Sequence, residues 1–355
     1  MFLNEKNEIF FTVIMATILL LSGLSIMPSA YSESKSVKIL NFNVAGLPKF
    51  DGTDVGANQT VIADYINNNN FDIVATQEDF GYHYKLSGAL NGYTYKTNHS
   101  GSIPGGDGLN IFTQSMPIYN ETRVQWNDSF GDIAEGDTLT PKGILHSVIQ
   151  IDDGIYIDFY DIHADAFDGE GSIAARKSNF TQVAEMINSN YEKYRRPVII
   201  TGDFNTYLHT PNHDQNSNMY EIFVEQCGLT DAWIELHNNN DYSNFGKWYE
   251  TGISYWGEWD SVEKFMYKDG ENIDLQATDF KYTWIKNADG NSVSDHAAAE
   301  CTITFTKTGE NVSGAQDLEI IENDPMRNII NTIRWIIKDL IYILSNINEL
   351  IEMLS

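Results

Sequence analysis

Basic residues are scarce in this chain: 22 Lys and Arg stand against 50 Asp and Glu, a formal charge of −28 over 355 residues. Duplex DNA is held largely by Lys and Arg on its phosphates, so this balance argues against a duplex nucleic-acid partner. No basic stripe with interleaved aromatics appears anywhere, which argues against single strands as well. A small phosphorylated ligand is not excluded, because one bound divalent cation reverses the local field. The same charge is also consistent with an adaptation for solubility or salt. Cysteine is nearly absent, with Cys227 and Cys301 alone. They form one disulfide at most or two buried thiols, and neither alternative makes a disulfide scaffold. No internal repeat is found.

Apolar residues make up 42% of the chain, enough to bury a core. Residues 9–27 are almost entirely apolar and are followed by Pro28, Ser29, Ala30, Tyr31 and Ser32. The small residues suit signal-peptide cleavage, whereas the length of the run suits a retained membrane tether. Residues 1–32 are therefore set aside, and either reading places the rest of the chain outside the membrane, secreted or extracytoplasmic. Six Asn-x-Ser/Thr sites (Asn58, Asn98, Asn120, Asn127, Asn179, Asn311) fit an exported chain, although a sequence rich in Asn produces some by chance.

From 36 to 305, short runs of Val, Ile, Phe and Tyr bounded by Gly, Asn and Asp predict strands at 38–43, 72–77, 109–113, 144–151, 155–162, 198–201 and 298–305. Apolar spacings of three and four predict helices over 57–69, 172–190 and 216–227, the middle one capped by Ser172. This mixture defines an α/β domain, with Asp152-Asp153-Gly154 joining one antiparallel hairpin. Residues 306–324 read as a linker. Beyond Asp324-Pro325, a good helix start, residues Ile330, Ile333, Ile337, Leu340, Leu344, Ile347, Ile351 and Leu354 repeat in a heptad. The stripe predicts a C-terminal amphipathic helix over 325–355, either self-associating as a coiled coil into a homo-oligomer or docked on the domain.

Polar residues that close apolar strands are the candidates for chemistry, since strand ends hold side chains rigidly at a sheet edge. Five segments qualify: Asn43 after 38–42, Glu78 after 72–77, His163 after 155–162, Asp203 and Asn205 after 198–201, and Asp295-His296 before the last strand. Any one of them has a bland explanation as a wet turn. Together they place two His, two Asn and three acids in one domain.

These segments resemble the endonuclease/exonuclease/phosphatase superfamily of metal-dependent hydrolases. Gly202-Asp203-Phe204-Asn205 and Ser294-Asp295-His296 carry the resemblance, with Gln77-Glu78, 43–48 and 106–111 in support. The resemblance implies a four-layer sandwich of two mixed β-sheets flanked by helices, and a Mg²⁺ or Mn²⁺ cofactor held by Glu78, with Asn43 beside it and Asp295 as a second acid. It implies that His296 activates the attacking water, Asp203 and Asn205 orient water and phosphate, and His163 serves a phosphoryl oxygen or the leaving group. One position departs: where the family has an Asp that holds the catalytic His, this chain has Glu263, with Asp260 as an alternative. Residues 136–143 are similar to the Asp-x4-Lys-Gly loop of neutral sphingomyelinases, which makes Asp137 and Lys142 substrate-binding candidates. The expected substrate is a lipid headgroup or another small phosphodiester; a secreted nuclease, an inositol-type phosphatase that would draw on Arg176 and Lys177, and a non-catalytic binding protein are the rivals. Trp233, Trp248, Tyr249, Tyr255, Trp256 and Trp259 form either a ligand-lining cluster or ordinary core.

Overall fold

A computed structural model describes residues 34–49, 52–102, 106–130, 141–206, 218–242 and 261–309, together with 317–319, 321, 333 and 337. The segment expected to be a signal peptide or tether (1–32), Asp137, Asp260, the aromatic residues 248–259 and nearly all of 325–355, where a heptad helix is expected, lie outside the described residues. Ile333 and Ile337 are helical and about half exposed, as a heptad stripe without a covering partner would be.

The apolar strands assemble into two six-stranded mixed sheets. The first contains β1 (Ser34–Asn43), β2 (Ile73–Gln77), β3 (Tyr95–Lys96), β4 (Asn110–Thr113), β11 (Ile273–Thr283) and β12 (Ala298–Lys307), in the order β11-β12-β1-β2-β4-β3. The second contains β5 (Ile118–Gln125), β6 (Gly143–Asp152), β7 (Ile155–His163), β8 (Val198–Asp203), β9 (Thr230–Asp231) and β10 (Glu263–Lys268), in the order β5-β6-β7-β8-β10-β9. Each sheet has one parallel pair at its centre, β1 with β2 and β7 with β8; every other pairing is antiparallel. A parallel pair needs a crossover, and each crossover here is a helix: α1 (Val55–Asn69) for the first and α3 (Glu170–Tyr194) for the second. Two short helices, α2 (His83–Ala89) and α4 (Ala232–Asn238), and a π-helical turn at Glu221–Gln226 complete the set.

Alternation along the strands makes the layers. On β1, Val37 and Ile39 face the other sheet, while Leu40 and Phe42 face α1. On β7, Ile157 and Phe159 face inward, whereas Tyr160 and Ile162 pack under α3 with Phe180, Val183 and Ile187. The result is helix, sheet, sheet, helix, which is the four-layer sandwich the resemblance implies.

All seven predicted strands are present, and β6 and β7 form the predicted hairpin around Gly154 (φ 72°). Several expectations need correction. The Ser172 cap is wrong: α3 starts earlier, with Gly169 as its N-cap, and Ser172 is buried inside it. Of the helix predicted over 216–227, residues 219–226 are helical, with π-helical geometry over Glu221–Gln226, and 216–217 lie outside the described residues. The linker is not free throughout, because Asn120 N–H donates to Glu319 O (2.9 Å) and Asp317 accepts from Lys193. That contact covers β5 at the sheet edge, where a bulge between Tyr119 and Thr122 interrupts the ladder. Cys227 and Cys301 are both free and buried, which removes the disulfide alternative. Trp233 is core, 7% exposed. Asn179 is fully buried, its side chain bonded to Asp165 N–H and Asp128 O, so that site cannot carry a glycan in the folded protein. Among the described residues no helix is long and apolar enough to cross a membrane.

Candidate active site

The inward-facing rows change character at one end of the sandwich. On β1 the row Val37, Ile39 continues as Asn41 and Asn43; on β2, Ile73 and Ala75 lead to Gln77; on β7, Ile157 and Phe159 lead to Asp161 and His163; on β8, Ile199 leads to Thr201 and Asp203. Because β1, β2, β7 and β8 are the parallel strands, their C-terminal ends meet at one edge.

Asn43 sits at the centre. Its Nδ2 lies 3.1 Å from Glu78 Oε1, 3.0 Å from Asp203 Oδ2 and 3.3 Å from His296 Nε2. Its Oδ1 accepts from Ala45 N–H (3.0 Å), which fixes the orientation of the amide. One side chain from the first sheet therefore touches residues of both sheets. Ser294 braces the arrangement, donating its hydroxyl to Asn43 O (2.8 Å) and accepting from His296 N–H (3.1 Å).

Glu263, at the start of β10, resolves the departure noted in the sequence. Its Oε1 is 2.5 Å from His296 Nδ1, so the longer carboxylate does reach the ring. Its other oxygen accepts from Ser261 Oγ, and its carbonyl from Tyr282 OH (2.9 Å). Glu263 is thereby locked from three sides. Burial acts to lower the His296 pKa, but the Glu263 and Asp203 carboxylates win and hold it well above the ordinary range. Burial acts to raise the Asp203 pKa, yet the His296 and His163 rings beside it bring it below the usual value. His163 behaves in the opposite way: burial, with Lys142 nearby, holds it down to about 3. It lies 3.5 Å from Asp203 Oδ2, and among the described residues its Nδ1 has no hydrogen-bond partner. Lys142 is thus close to His163 and Asp203.

Glu78 stands apart in conformation. It is half-buried and has a left-handed backbone (φ 56°), which costs a non-glycine residue roughly 1–3 kcal/mol. Two glycines permit it. A Cβ on Gly46 would meet Glu78 O at 2.3 Å, and one on Gly108 (φ 69°) would crowd Phe80 and the Glu78 backbone. Burial raises the Glu78 pKa, with Asp295 and Asp203 adding to it and His296 and Asn43 opposing. A carboxylate forced into a strained turn beside two other acids calls for a cation. Asp295 is exposed and close enough to act on both Glu78 and His296. Asn205, also left-handed (φ 49°), donates its Nδ2 to Ala164 O and its N–H to Asp203 Oδ1.

Where a divalent ion fits follows from donor chemistry. Asp203, Glu263 and His296 have ligand atoms within 4.8 Å of one another. A hard cation prefers oxygen, however, and the ring of His296 is already bonded to Glu263. Glu78 and Asp295 offer further carboxylate oxygens beside that group. Sequence reasoning did not single out Asn41, Asp161 or Ser261, and it named Ser294 only as part of the Ser294-Asp295-His296 segment. For the first two the signal was available, as polar residues continuing an inward apolar row.

No protein-family model matches the chain. Sphingomyelinases of Mycobacterium tuberculosis and Mycobacterium bovis are 27% identical to it over 290 residues, 79% of this chain and 54% of each relative. The chain thus spans about half the length of these curated relatives. Among solved structures, a humanized TDP2 of D. rerio has a TM-score of 0.55 at 15% identity, covering 76% of this chain and 98% of that one. An endonuclease/exonuclease/phosphatase family protein from Bacteroides thetaiotaomicron has a TM-score of 0.54 at 20% identity, covering 79% and 99%. A Staphylococcus aureus beta toxin variant with bound magnesium ions gives 0.53 at 17%, covering 75% and 99%. The fold is that of the endonuclease/exonuclease/phosphatase superfamily.

Proposed function

We propose that this chain is a divalent-metal-dependent phosphodiesterase that cleaves a lipid headgroup or a comparable small phosphodiester. The observation that carries the reading is the His296–Glu263 pair at 2.5 Å beside Asn43, Asp203 and Glu78. A binding protein has no need to hold a histidine this tightly.

Glu78 and Asp295 would hold Mg²⁺ or Mn²⁺, with Asn43 orienting Glu78. When bound, such an ion polarises the phosphoryl oxygen and offsets charge that accumulates in the transition state. His296 Nε2 takes the proton of the attacking water, and Glu263 stabilises the imidazolium through Nδ1. Asp203 and Asn205 orient water and phosphate. His163 donates to a phosphoryl oxygen, and Lys142 supplies positive charge. Asp137 remains a proposed substrate contact.

The mycobacterial sphingomyelinases support the lipid headgroup. The charge of −28 weighs against nucleic acid, although the fold also occurs in a TDP2 of D. rerio complexed with a single-strand DNA product. For a phosphomonoesterase the extra phosphate charge needs cations, and Arg176 is not free to serve. It is fully buried and donates to the carbonyls of Asp165 (3.0 Å) and Phe167 (2.5 Å). A secreted or membrane-tethered location, and self-association through 325–355, remain proposals on the sequence alone.

The test uses the purified chain with Mg²⁺ or Mn²⁺, with and without EDTA, against sphingomyelin, an aryl phosphodiester, an inositol polyphosphate and plasmid DNA. Metal-dependent turnover of the first two that vanishes in His296→Ala is expected. Turnover of DNA alone would replace the reading with a nuclease, and no turnover by a folded, metal-binding chain would leave a binding protein.

A further inference from the structure

Immediately beneath the site, the apolar filling between the two sheets is interrupted by one polar layer. Gln77 Nε2 donates to Asn41 Oδ1 (2.8 Å) and to Asp161 Oδ1 (2.6 Å), and Asn41 Nδ2 donates to Gly202 O (3.1 Å). Asn41 and Gln77 belong to the first sheet; Asp161 and Gly202 belong to the second. All three side chains are completely buried.

We infer that Asn41, Gln77 and Asp161 form an inter-sheet clamp that positions the two halves of the active site against each other. The active site straddles the sandwich, with Asn43 and Glu78 on one sheet and His163, Asp203 and Glu263 on the other. Its geometry therefore depends on the spacing and lateral offset of two sheets whose filling is mostly non-directional apolar contact, apart from such hydrogen bonds as Asn43 to Asp203, Tyr282 to Glu263 and Ala277 to Tyr267. Hydrogen bonds are directional and fix that offset. Each member of the clamp lies one or two residues before a site residue: Asn41 before Asn43, Gln77 before Glu78, Asp161 before His163, Gly202 before Asp203. Any slip of one sheet would move Glu78 relative to Asp203 and His296.

Stability alone does not account for this layer. Gln77 Oε1 and Asp161 Oδ2 are buried with no hydrogen-bond partner among the described residues, which an apolar pair of similar volume would avoid. The next residues inward on the same faces, Ile39, Ala75 and Phe159, show that the sandwich closes well without polar groups. Burial pushes the Asp161 carboxyl well above its ordinary range. Gly202 permits the close pairing of β8 with β7 at this level: a Cβ on it would meet Ile162 O at 2.0 Å. The three are positioning residues and touch no reacting atom.

The inference rests on the phosphodiesterase reading only for its kinetic readout. Gln77→Met keeps the volume and removes both donated bonds; Asp161→Asn keeps an acceptor. Magnesium affinity is measured by calorimetry on each full-length variant, and kcat, KM and melting temperature are measured beside it. For Gln77→Met the expectation is a loss of about 10–100-fold in magnesium affinity or kcat, the usual effect of disturbing the groups behind a metal ligand, with KM little changed. Asp161→Asn should behave as the unaltered chain. Asn41→Ala tests the clamp from its other end and should match Gln77→Met. A merely structural layer would lower the melting temperature of Gln77→Met and Asn41→Ala yet leave magnesium affinity and kcat per folded molecule intact, and that result overturns the clamp. Absence of turnover by the unaltered chain would sink the phosphodiesterase reading instead, and the calorimetric comparison would still decide the clamp.

Discussion

Glu263→Gln removes one charge and leaves the shape of the site intact. Glu263 Oε1 and His296 Nδ1 are 2.5 Å apart, which places the two charge centres roughly 4 Å from each other. At an effective dielectric near 20, that attraction is about 4 kcal/mol for the protonated ring. The proton taken from water rests on His296 in the transition state, so most of this energy bears on the barrier. At about 1.4 kcal/mol per decade, kcat falls by roughly a thousandfold. The amide can also turn its NH₂ to Nδ1 and impose the wrong tautomer, which adds to the loss. The pH profile moves too. Glu263 is the largest influence holding the His296 pKa up, so its removal lowers that pKa. A base must be unprotonated to act; the acidic limb of kcat against pH therefore shifts to lower pH while the plateau drops. The assay is kcat across pH on an aryl phosphodiester with saturating Mg²⁺, with Glu263→Asp in parallel. That shorter side chain keeps the charge but retreats from the ring, and a misplacement near 1 Å costs on the order of 10²-fold. A Glu263→Gln enzyme within a few-fold of the unaltered one, with an unmoved acidic limb, would refute the assignment of Glu263 as the partner of His296.

Other outcomes follow from the same geometry. Burial raises the Glu78 pKa, so in the metal-free protein its ionised form opposes folding, an effect absent below the unfolded pKa that grows as pH rises through the folded one. Glu78→Gln should therefore raise the metal-free melting temperature at neutral pH, by about 2–4 °C for each kcal/mol relieved, while abolishing turnover; a lower melting temperature would contradict the electrostatic reading. Mg²⁺ at about 100 times its Kd should stabilise the unaltered chain by about 2.7 kcal/mol and leave Glu78→Gln unmoved, as calorimetric scanning would show. Phe223 packs edge-on against Phe180 and Phe204 beneath α3, and Phe223→Ala should cost about 3–5 kcal/mol in urea unfolding.

How much of this was readable in the sequence differs from element to element. The central strands β1, β2, β7 and β8 are continuous apolar runs, because helices cover their outer faces, and such runs announce themselves. The edge strand β5 is half-buried and bulged and carries Asn120, Glu121 and Arg123, so no clean period survives. β11 was not predicted: its buried and exposed residues alternate at first, but the period breaks at the shift between Ala277 and Asp279. The site residues stood out because Asn, Glu, His and Asp ended runs that had no other reason to stop. The partnership of Glu263 with His296 was open in the sequence, since they lie 33 residues apart on different sheets and only the sandwich brings them together. Asn41 and Asp161 looked like interruptions in apolar strands; one strand alone cannot show that two interruptions face each other.

The acidic surface and a phosphoester substrate stop conflicting once the site is considered by itself. Glu78, Asp203, Glu263 and Asp295 place four carboxylates around one edge, and Glu263 and Asp203 are partly offset by His296 and Lys142. His296 offsets Glu78 and Asp295 as well, but burial still leaves the Glu78 carboxyl raised. A strongly negative chain attracts divalent cations and repels polyanions, and both effects act at long range and weaken with salt. The substrate that tolerates such a surface has few negative charges of its own and meets positive charge only where the site provides it. A phosphodiester with a single charge fits that condition, and a polynucleotide does not.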